Sequence, residues 1–294
     1  MEKVVYFSYT QPITRILIVK RLLFKARCVA TLTTIAGALA FPALAQAASF
    51  NELDVNLVGS ATIVNPTNNL LLTPSVASVV GAAWLSTPVS TTSAFSTTFS
   101  FNLSNAGGMG NADGLALVFH NSGTSALGTG GGSLGIDLPD NTTPGGSVAA
   151  VLRTFWSTYG IVQNTDAKAD SFTNSQDLAA PIDLSTATLI TGIETVTYNP
   201  FTHDISQVIN LNYTDASSAS GSFSRTANAT FDLSLLFGES MIVGLSAATG
   251  AGYADQAITS WTLAPVPEPE ICAMLMAGLG LMGAVARRKK NRQA

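Results

Sequence analysis

Strict alternation between residues 95 and 103 is the feature that most constrains the fold of this chain. Phe, Thr, Phe, Phe and Leu occupy the odd-numbered positions, and Ser, Thr, Ser and Asn occupy the positions between them. Successive side chains of a β-strand point to opposite faces, so this period of two predicts a strand with one buried face. Short β-like runs between turn clusters rich in Ser, Thr, Asn and Gly begin at Phe50, and no segment has a convincing helical period. We therefore predict an all-β sandwich.

A second predicted strand, Gly114–His120, is apolar on both of its faces, as in the middle of a sandwich. A single acid, Asp113, precedes it. The loop behind it contains the glycine-rich run Gly130–Gly135, whose backbone amides a ligand can approach without meeting side chains. Asp113 and this loop are therefore the first candidates for a binding site.

The N-terminal residues 1–47 resemble a secretory signal peptide. Basic residues between Lys20 and Arg27 precede an apolar run, Val29–Leu44, and small residues suited to cleavage follow at 45–47. We predict that this segment is removed from the mature protein, whose sandwich domain would then span residues 48–264.

The C-terminal residues 265–294 contain three features in a fixed order. Pro267, Glu268 and Pro269 are followed by a mostly apolar run, 271–286, and then by four basic residues, 287–290. This order resembles the PEP-CTERM sorting signal of Gram-negative bacteria, which implies export, processing by an exosortase and a cell-surface or extracellular destination. The run 271–286 is predicted to be a transmembrane segment, slightly short for a full span, and the domain's only membrane attachment before processing. An ordinary C-terminal anchor is the alternative interpretation.

The charges are divided sharply between the predicted domain and the ends of the chain. Residues 48–264 hold three basic and fifteen acidic side chains, which gives a net charge of −12. Such a domain lacks the cations with which proteins displace counterions from nucleic acid, so nucleic acid is not a predicted partner. Both cysteines, Cys28 and Cys272, lie in the end segments, so the domain has neither a disulfide nor a thiol nucleophile.

The motif Ala112-Asp113-Gly114, the apolar strand and the glycine loop resemble the core of the legume-type (L-type) lectins. The same order of motifs continues through Val196–Pro200, Val243–Gly250 and Ser260–Leu263, and the resemblance is weakest from Ser157 to Thr191. It implies an antiparallel β-sandwich, a legume lectin-like jelly roll of one flat and one curved sheet with ligand loops above the concave face.

The resemblance also implies roles for individual residues. Asp113 would accept hydrogen bonds from two sugar hydroxyls, after a cis peptide bond to Ala112, and the amide of Gly132 would give a second contact. Ser157 stands where the family has an asparagine that binds sugar and calcium, and Tyr253 lies in a loop that tunes specificity. The aromatic side chains of Trp156 and Tyr159 are expected near the same mouth. A turn-forming Asp113 without a ligand is the alternative.

The family's cation ligands are missing from the matching positions. Where the family has a metal-binding Glu and Asp, this chain has Val151 and Arg153, and Gly160 stands at the position of a second calcium-binding Asp. A hard dication needs several oxygen ligands, and an arginine would repel it. We predict that the usual calcium and transition-metal pair is absent and that no cofactor is needed. The alternative is a rebuilt calcium site drawing on Asn164, Asp166 and Asp170.

Arg153 suggests how the site could be held without a cation. By alternation it shares a face with Val151, and a buried guanidinium needs a partner. We predict a bidentate ion pair between Arg153 and Asp113 that takes the place of calcium. The alternative is that the Arg153 side chain extends so that its guanidinium reaches solvent at the edge of the sandwich.

Enzymatic activity is not predicted. Glycosidases need two carboxylates about 5–9 Å apart, and the three Glu of the domain, at 52, 194 and 239, are not clustered. Neither His120 nor His203 lies in a nucleophile or metal motif. The sequence favours an exported lectin-like protein that binds glycan, plausibly an exopolysaccharide. The alternative is a structural matrix or surface protein that keeps the sandwich without binding sugar.

Overall fold

A computed structural model describes residues 54–64, 67–138, 146–164 and 178–266, together with Gly278 and Met282. The predicted signal peptide, the sorting residues Pro267, Glu268 and Pro269, and most of the run 271–286 lie outside these residues. Within the described part of the chain, no helix combines the length and the hydrophobicity needed to cross a bilayer.

Strands dominate the described residues, as the alternating sequence predicts. They are β1 Val55–Gly59, β2 Thr62–Val64, β3 Asn69–Thr73, β4 Val80–Leu85, β5 Val89–Ser90, β6 Phe95–Gly108, β7 Gly114–His120, β8 Ser147–Arg153, β9 Thr158–Asn164, β10 Leu178–Ala179, β11 Ala187–Asn199, β12 Asp204–Asp215, β13 Ser220–Thr230, β14 Ser240–Ala248 and β15 Gly252–Pro265. Between residues 54 and 266, the described helical elements are the α-helix α1 Leu233–Phe237 and short 3-10 turns at Gly131–Ser133 and Leu184–Thr186.

The strands form two antiparallel sheets. One has the order β1-β4-β14-β7-β8-β9-β10, with β5 paired to β14, and the other has the order β13-β12-β11-β6-β15-β3-β2. We call them the eight-stranded and the seven-stranded sheet. The predicted antiparallel β-sandwich is therefore confirmed.

Strand β6 shows how the alternating pattern produces the core. Its odd-numbered residues from Phe95 to Leu103 are buried, whereas the Ser, Thr and Asn residues between them are only partly buried on the outer face. The buried side chains meet the inner face of the eight-stranded sheet, where Leu115, Leu117 and Phe119 of β7 join the same cluster. Burial of this apolar surface is the main force that holds the two sheets together.

Strand β7 is buried on its second face as well, as its sequence predicts. Ala116 and Val118 pack in a separate apolar cluster with Leu134 and Ile136, which belong to the segment that follows β7. The outer face of the eight-stranded sheet is thus covered by its own loop. This packing fixes the glycine-rich loop above the sheet and so positions the candidate site.

One acid, Glu194 of β11, is enclosed in the sandwich. Its Oε1 accepts a hydrogen bond of 2.9 Å from Nε2 of Gln207, which also donates to the carbonyl of Val151 at 3.1 Å. Burial raises the pKa of Glu194 to about 8, against the lowering effect of the Gln207 hydrogen bond. The side chain is therefore protonated at neutral pH, because a charged carboxylate is costly in this environment.

Replacement of Glu194 by Gln is expected to raise the melting temperature more at about pH 8 than at about pH 5. The folded protein retains a proton that the unfolded chain loses, so the stability present below the ordinary pKa of 4.5 is lost as pH rises through about 8. Glutamine cannot ionise and can still accept the hydrogen bond from Gln207. Thermal melts at the two pH values check this, with Glu239→Gln at an exposed position as the control. Equal shifts at both pH values would contradict the protonated buried acid.

Candidate functional site

The backbone of Asp113 is held from both neighbouring strands. Its amide donates to the carbonyl of Ala248 at 2.8 Å, and its carbonyl accepts from the amide of Thr154 at 2.9 Å. Asp113 immediately precedes β7, which lies between β14 and β8 in the eight-stranded sheet. The peptide bond between Ala112 and Asp113 is cis, as the resemblance implies.

Gln256 completes the support of this segment, and the sequence analysis did not identify it. Its side chain is fully buried, and its Nε2 lies 2.7 Å from the carbonyl of Ala248 and 3.3 Å from that of Ala112. A period-two count along β15 places Gln256 on the same face as Gly252 and Ala254, both of which are buried. That alternation is the signal that could have found it.

Two glycines border the carboxylate of Asp113. A β-carbon placed on Gly250 would lie 3.0 Å from Oδ2 of Asp113, and one placed on Gly131 would lie 4.0 Å from the same oxygen. Gly131 has a φ of 64°, which glycine adopts without strain. Larger residues at these positions would fill the space that a ligand needs.

Several amides of the glycine loop are bonded within the protein. Gly131 donates to the carbonyl of Thr249 at 3.1 Å, and Leu134 and Gly135 donate to carbonyls within the loop. Gly132 lies inside the short 3-10 turn Gly131–Ser133. The contact to a sugar that the resemblance gives to its amide stays a prediction.

The carboxylate of Asp113 is buried, and its Oδ2 has no hydrogen-bond partner in the described structure. Burial raises the pKa of Asp113 to about 6. A desolvated oxygen without a partner costs free energy, and a ligand that donates hydroxyl groups would offset this cost.

The loop is anchored to the sheet by buried polar groups. Asp137 accepts hydrogen bonds from both the amide and the hydroxyl of Thr129. The hydroxyl of Ser246 donates to the carbonyl of Leu134 at 2.7 Å, and the indole nitrogen of Trp84 donates to the carbonyl of Ala126 at 2.8 Å. These bonds hold the loop in place before any ligand arrives.

The predicted ion pair between Arg153 and Asp113 is not formed. Within the described ranges, no ion pair joins the Asp113 carboxylate to the Arg153 guanidinium. The raised pKa of Asp113 comes from burial, with no contribution from Arg153. In the antiparallel register Arg153 lies opposite Gly114, and its guanidinium lies 5.6 Å from the ring centroid of Trp156. Arg153 is only 5% exposed, so the alternative of a head extended to the rim is also wrong.

The two aromatic residues expected near the binding site, Trp156 and Tyr159, lie in different environments. Trp156 is 46% exposed, and its indole packs so closely on Gly132 that a β-carbon there would collide with the ring. Tyr159, in contrast, is buried in the core between the sheets. The structure thus brings Trp156 to Gly132 but removes Tyr159 from the site, because Trp156 lies in the turn before β9 whereas Tyr159 lies on β9, opposite the core residue Leu152.

The hydroxyl of Ser157 is hydrogen-bonded to a neighbouring turn. Its hydroxyl accepts a hydrogen bond from the amide of Leu184 at 2.8 Å and lies 3.2 Å from Oδ1 of Asp183. These contacts tie the end of β8 to the segment before β11 and occupy the hydroxyl that was expected to reach a sugar.

Tyr253 is not among the residues that border the Asp113 carboxylate. Its ring packs over Gly107 and Gly108, where any β-carbon would meet it. Gly252, the adjacent residue, faces Ala112. Tyr253 therefore points away from the site, and Gly250 rather than Tyr253 is the member of this loop that borders the carboxylate.

The side chains at the family's cation positions do not fit a metal ion. Val151 belongs to an apolar cluster, the guanidinium of Arg153 is buried beside Trp156, and Gly160 has no side chain. Within the described residues no group of three His, Cys, Asp or Glu side chains could hold a metal. Asp166 and Asp170 lie outside those residues.

Comparison with known protein families identifies the domain and the C-terminal signal. The family model described as the legume lectin domain matches residues 41–271, and the PEP-CTERM protein-sorting motif matches residues 265–290. The chain belongs to the legume lectin family. This lectin-family chain therefore carries the sorting signal of an exported protein of Gram-negative bacteria.

Solved lectin structures share the fold. A lectin from Bauhinia forficata in complex with GalNAc is 21% identical with a TM-score of 0.54, and the match covers 75% of this chain and 98% of that lectin. Arcelin-5, a lectin-like defense protein from Phaseolus vulgaris, is 22% identical with a TM-score of 0.55, and the match covers 76% and 100% of the two chains. Comparison with curated protein sequences finds no significant match.

Replacement of Asp137 by Ala is expected to loosen the loop of this lectin-family domain. The amide and hydroxyl of Thr129 lose their acceptor, which should lower the free energy of unfolding by about 1–3 kcal/mol. Hydrogen exchange measured by mass spectrometry should show faster exchange in residues 128–136. The control is Asp54→Ala, at an exposed position. Unchanged exchange in the loop would show that apolar packing alone holds it.

Proposed function

We infer that this exported lectin-family protein binds glycan at Asp113 without the usual metal pair. The observation that carries the proposal is the buried Oδ2 of Asp113, which has no partner and is bordered by Gly131 and Gly250. Sugar hydroxyls are donors of the kind that this oxygen lacks. The amide of Gly132 supplies a donor beside it for a sugar oxygen.

The proposed site needs no cation to hold its shape. The carbonyl of Ala112 and the amide and carbonyl of Asp113 are all bound to groups of the protein, namely Gln256, Ala248 and Thr154. Arg153 supports the neighbouring wall through its contact with Trp156, instead of through the ion pair that the sequence suggested. Preorganised hydrogen-bonding groups lower the cost of ordering on binding.

Trp156 is proposed as the apolar wall of the site. Its half-exposed indole lies against Gly132 and can take the C–H face of a sugar ring. The same contact favours a second candidate function, because an indole this close to Gly132 also restricts access to the amide. In that case the domain is a structural matrix or surface protein that does not bind sugar.

The proposed role is binding and not catalysis. Asp113 and Glu194 both have raised pKa values, but Asp113 borders the loops whereas Glu194 is enclosed between the sheets and bonded to Gln207. This separation supports a protein that binds an exopolysaccharide or another glycan at the cell surface or outside it. An exosortase is the proposed processing enzyme for the sorting motif.

Replacement of Asp113 by Asn is expected to weaken glycan binding at least about tenfold, or about 1.4 kcal/mol. A glycan array with the wild-type protein identifies the ligand, and calorimetry then compares the two proteins. Wild-type affinity should fall as pH drops through about 6, because protonation of Asp113 removes an acceptor, whereas the variant should show no such fall. Asp54→Asn serves as the control at an exposed position. Equal affinity of wild type and Asp113→Asn would place the binding site elsewhere.

Removal or addition of calcium is expected to leave the melting temperature unchanged. A cation that binds the folded protein stabilises it by mass action, so thermal melts with EDTA and with excess calcium report directly on a site. The test bears on residues 165–177, which lie outside the described structure. A clear rise in melting temperature with calcium would show that this segment rebuilds a cation site.

A further inference from the structure

A groove of about 690 Å³ crosses the outer face of the seven-stranded sheet. It is lined by residues of β6, β11, β12, β13 and β15, whereas Asp113 and its loops belong to the eight-stranded sheet. A second groove of about 340 Å³ shares Thr191, Asn212 and Ser222 with the first. The two together form one extended depression, which we call the sheet groove.

Strand pairing arranges the side chains of the sheet groove in rows. Thr191 of β11 lies opposite Asn102 of β6 and Asn212 of β12, which in turn lies opposite Ser222. In the adjacent row Ile193 is flanked by Ser100 and Asn210. Neighbouring strands lie about 4.8 Å apart, and alternate residues of one strand about 6.8 Å apart. Amide and hydroxyl groups therefore recur at regular intervals around an aliphatic centre.

The chemistry of the sheet groove is polar but uncharged. Its lining residues include no Asp, Glu, His, Lys or Arg, although the predicted mature domain has a net charge of −12. The Oδ1 atom of Asn102 is buried and has no hydrogen-bond partner in the described structure. Ile193, at the centre, is 49% exposed. The groove thus offers unsatisfied hydrogen-bonding capacity beside an exposed aliphatic side chain.

We propose that the sheet groove binds a neutral polysaccharide chain. Such a chain presents hydroxyl groups for Asn102, Asn210 and Asn212 and C–H surfaces for Ile193, and it needs no counter-charge. The length of the groove over several strands fits a polymer better than a single sugar. A protein partner fits less well, because protein interfaces are centred on apolar and aromatic anchors, and this groove is lined mainly by Ser, Thr and Asn.

This proposal does not depend on the loop site. The two sites draw on different sheets, so either can bind when the other does not. If both bind one polymer, the second contact becomes intramolecular and raises the overall affinity.

Affinity electrophoresis of the full chain tests the sheet groove. Gels contain either hydroxyethyl cellulose, a neutral polymer, or alginate, an anionic one. Hydroxyethyl cellulose should retard the wild-type protein, and alginate should not. Ile193→Ser and Asn210→Ala should each weaken retardation several-fold, and the double variant at least tenfold. Thr226→Ala is the matched control, since Thr226 is exposed on β13 outside the groove, and it should behave as wild type.

Three results would overturn the proposal. One is equal mobility of the wild type with and without the neutral polymer. Another is loss of retardation in Asp113→Asn but not in the groove variants, which would place the polymer in the loop site. The third is a change of oligomeric state in the groove variants, measured by light scattering, which would make this face an interface between copies. Ile193 and Asn210 are exposed, so both substitutions should leave the fold intact, and circular dichroism verifies this.

Discussion

Hydrogen bonds that hold the backbone of residues 112 and 113 are the constraint on which the candidate site depends. The carbonyl of Ala248 accepts from both the amide of Asp113 and the side chain of Gln256, and Thr154 binds from the other side. Each such bond contributes only about 1 kcal/mol net, but leaving a buried peptide group without a partner costs more. The position of the Asp113 carboxylate therefore follows from the register of β14, β7 and β8. These contacts all come from the chain itself.

Two of the buried acids of the domain, Asp113 and Glu194, show how the position of a carboxyl group decides its role. Burial raises the pKa of both Asp113 and Glu194. Glu194 is enclosed between the sheets, where its proton and Gln207 satisfy it in part and no ligand can reach it. Asp113 immediately precedes β7, an interior strand of the eight-stranded sheet, and is bordered by Gly131 and Gly250, so a ligand that donates hydrogen bonds could offset the cost of its desolvation. Glu194 therefore affects only stability, whereas Asp113 is suited to ligand recognition.

Local pattern predicted the fold well and the site only in part. The period of two in residues 95–103 and the doubly apolar strand Gly114–His120 gave the correct burial, because each reports directly on which faces are covered. The order of motifs implied the position of Asp113 and the glycine loop correctly. The predicted Arg153–Asp113 ion pair was wrong, because such a pair depends on side-chain direction across strands, and the sugar-binding role of Tyr253 stays a prediction. Arg153 lies opposite Gly114, and Tyr253 faces away from Ala112.

The sequence by itself determined the all-β class and the acidic and cysteine-free character of the domain. These follow from composition, from periodicity and from motif order, which need no knowledge of distant contacts. Only the tertiary structure decided that Gln256 supports the Asp113 segment, that Trp156 covers Gly132, and that an uncharged groove crosses the seven-stranded sheet. Each of these joins residues from separate strands or loops, and pairing register, which local sequence does not encode, determines which side chains meet.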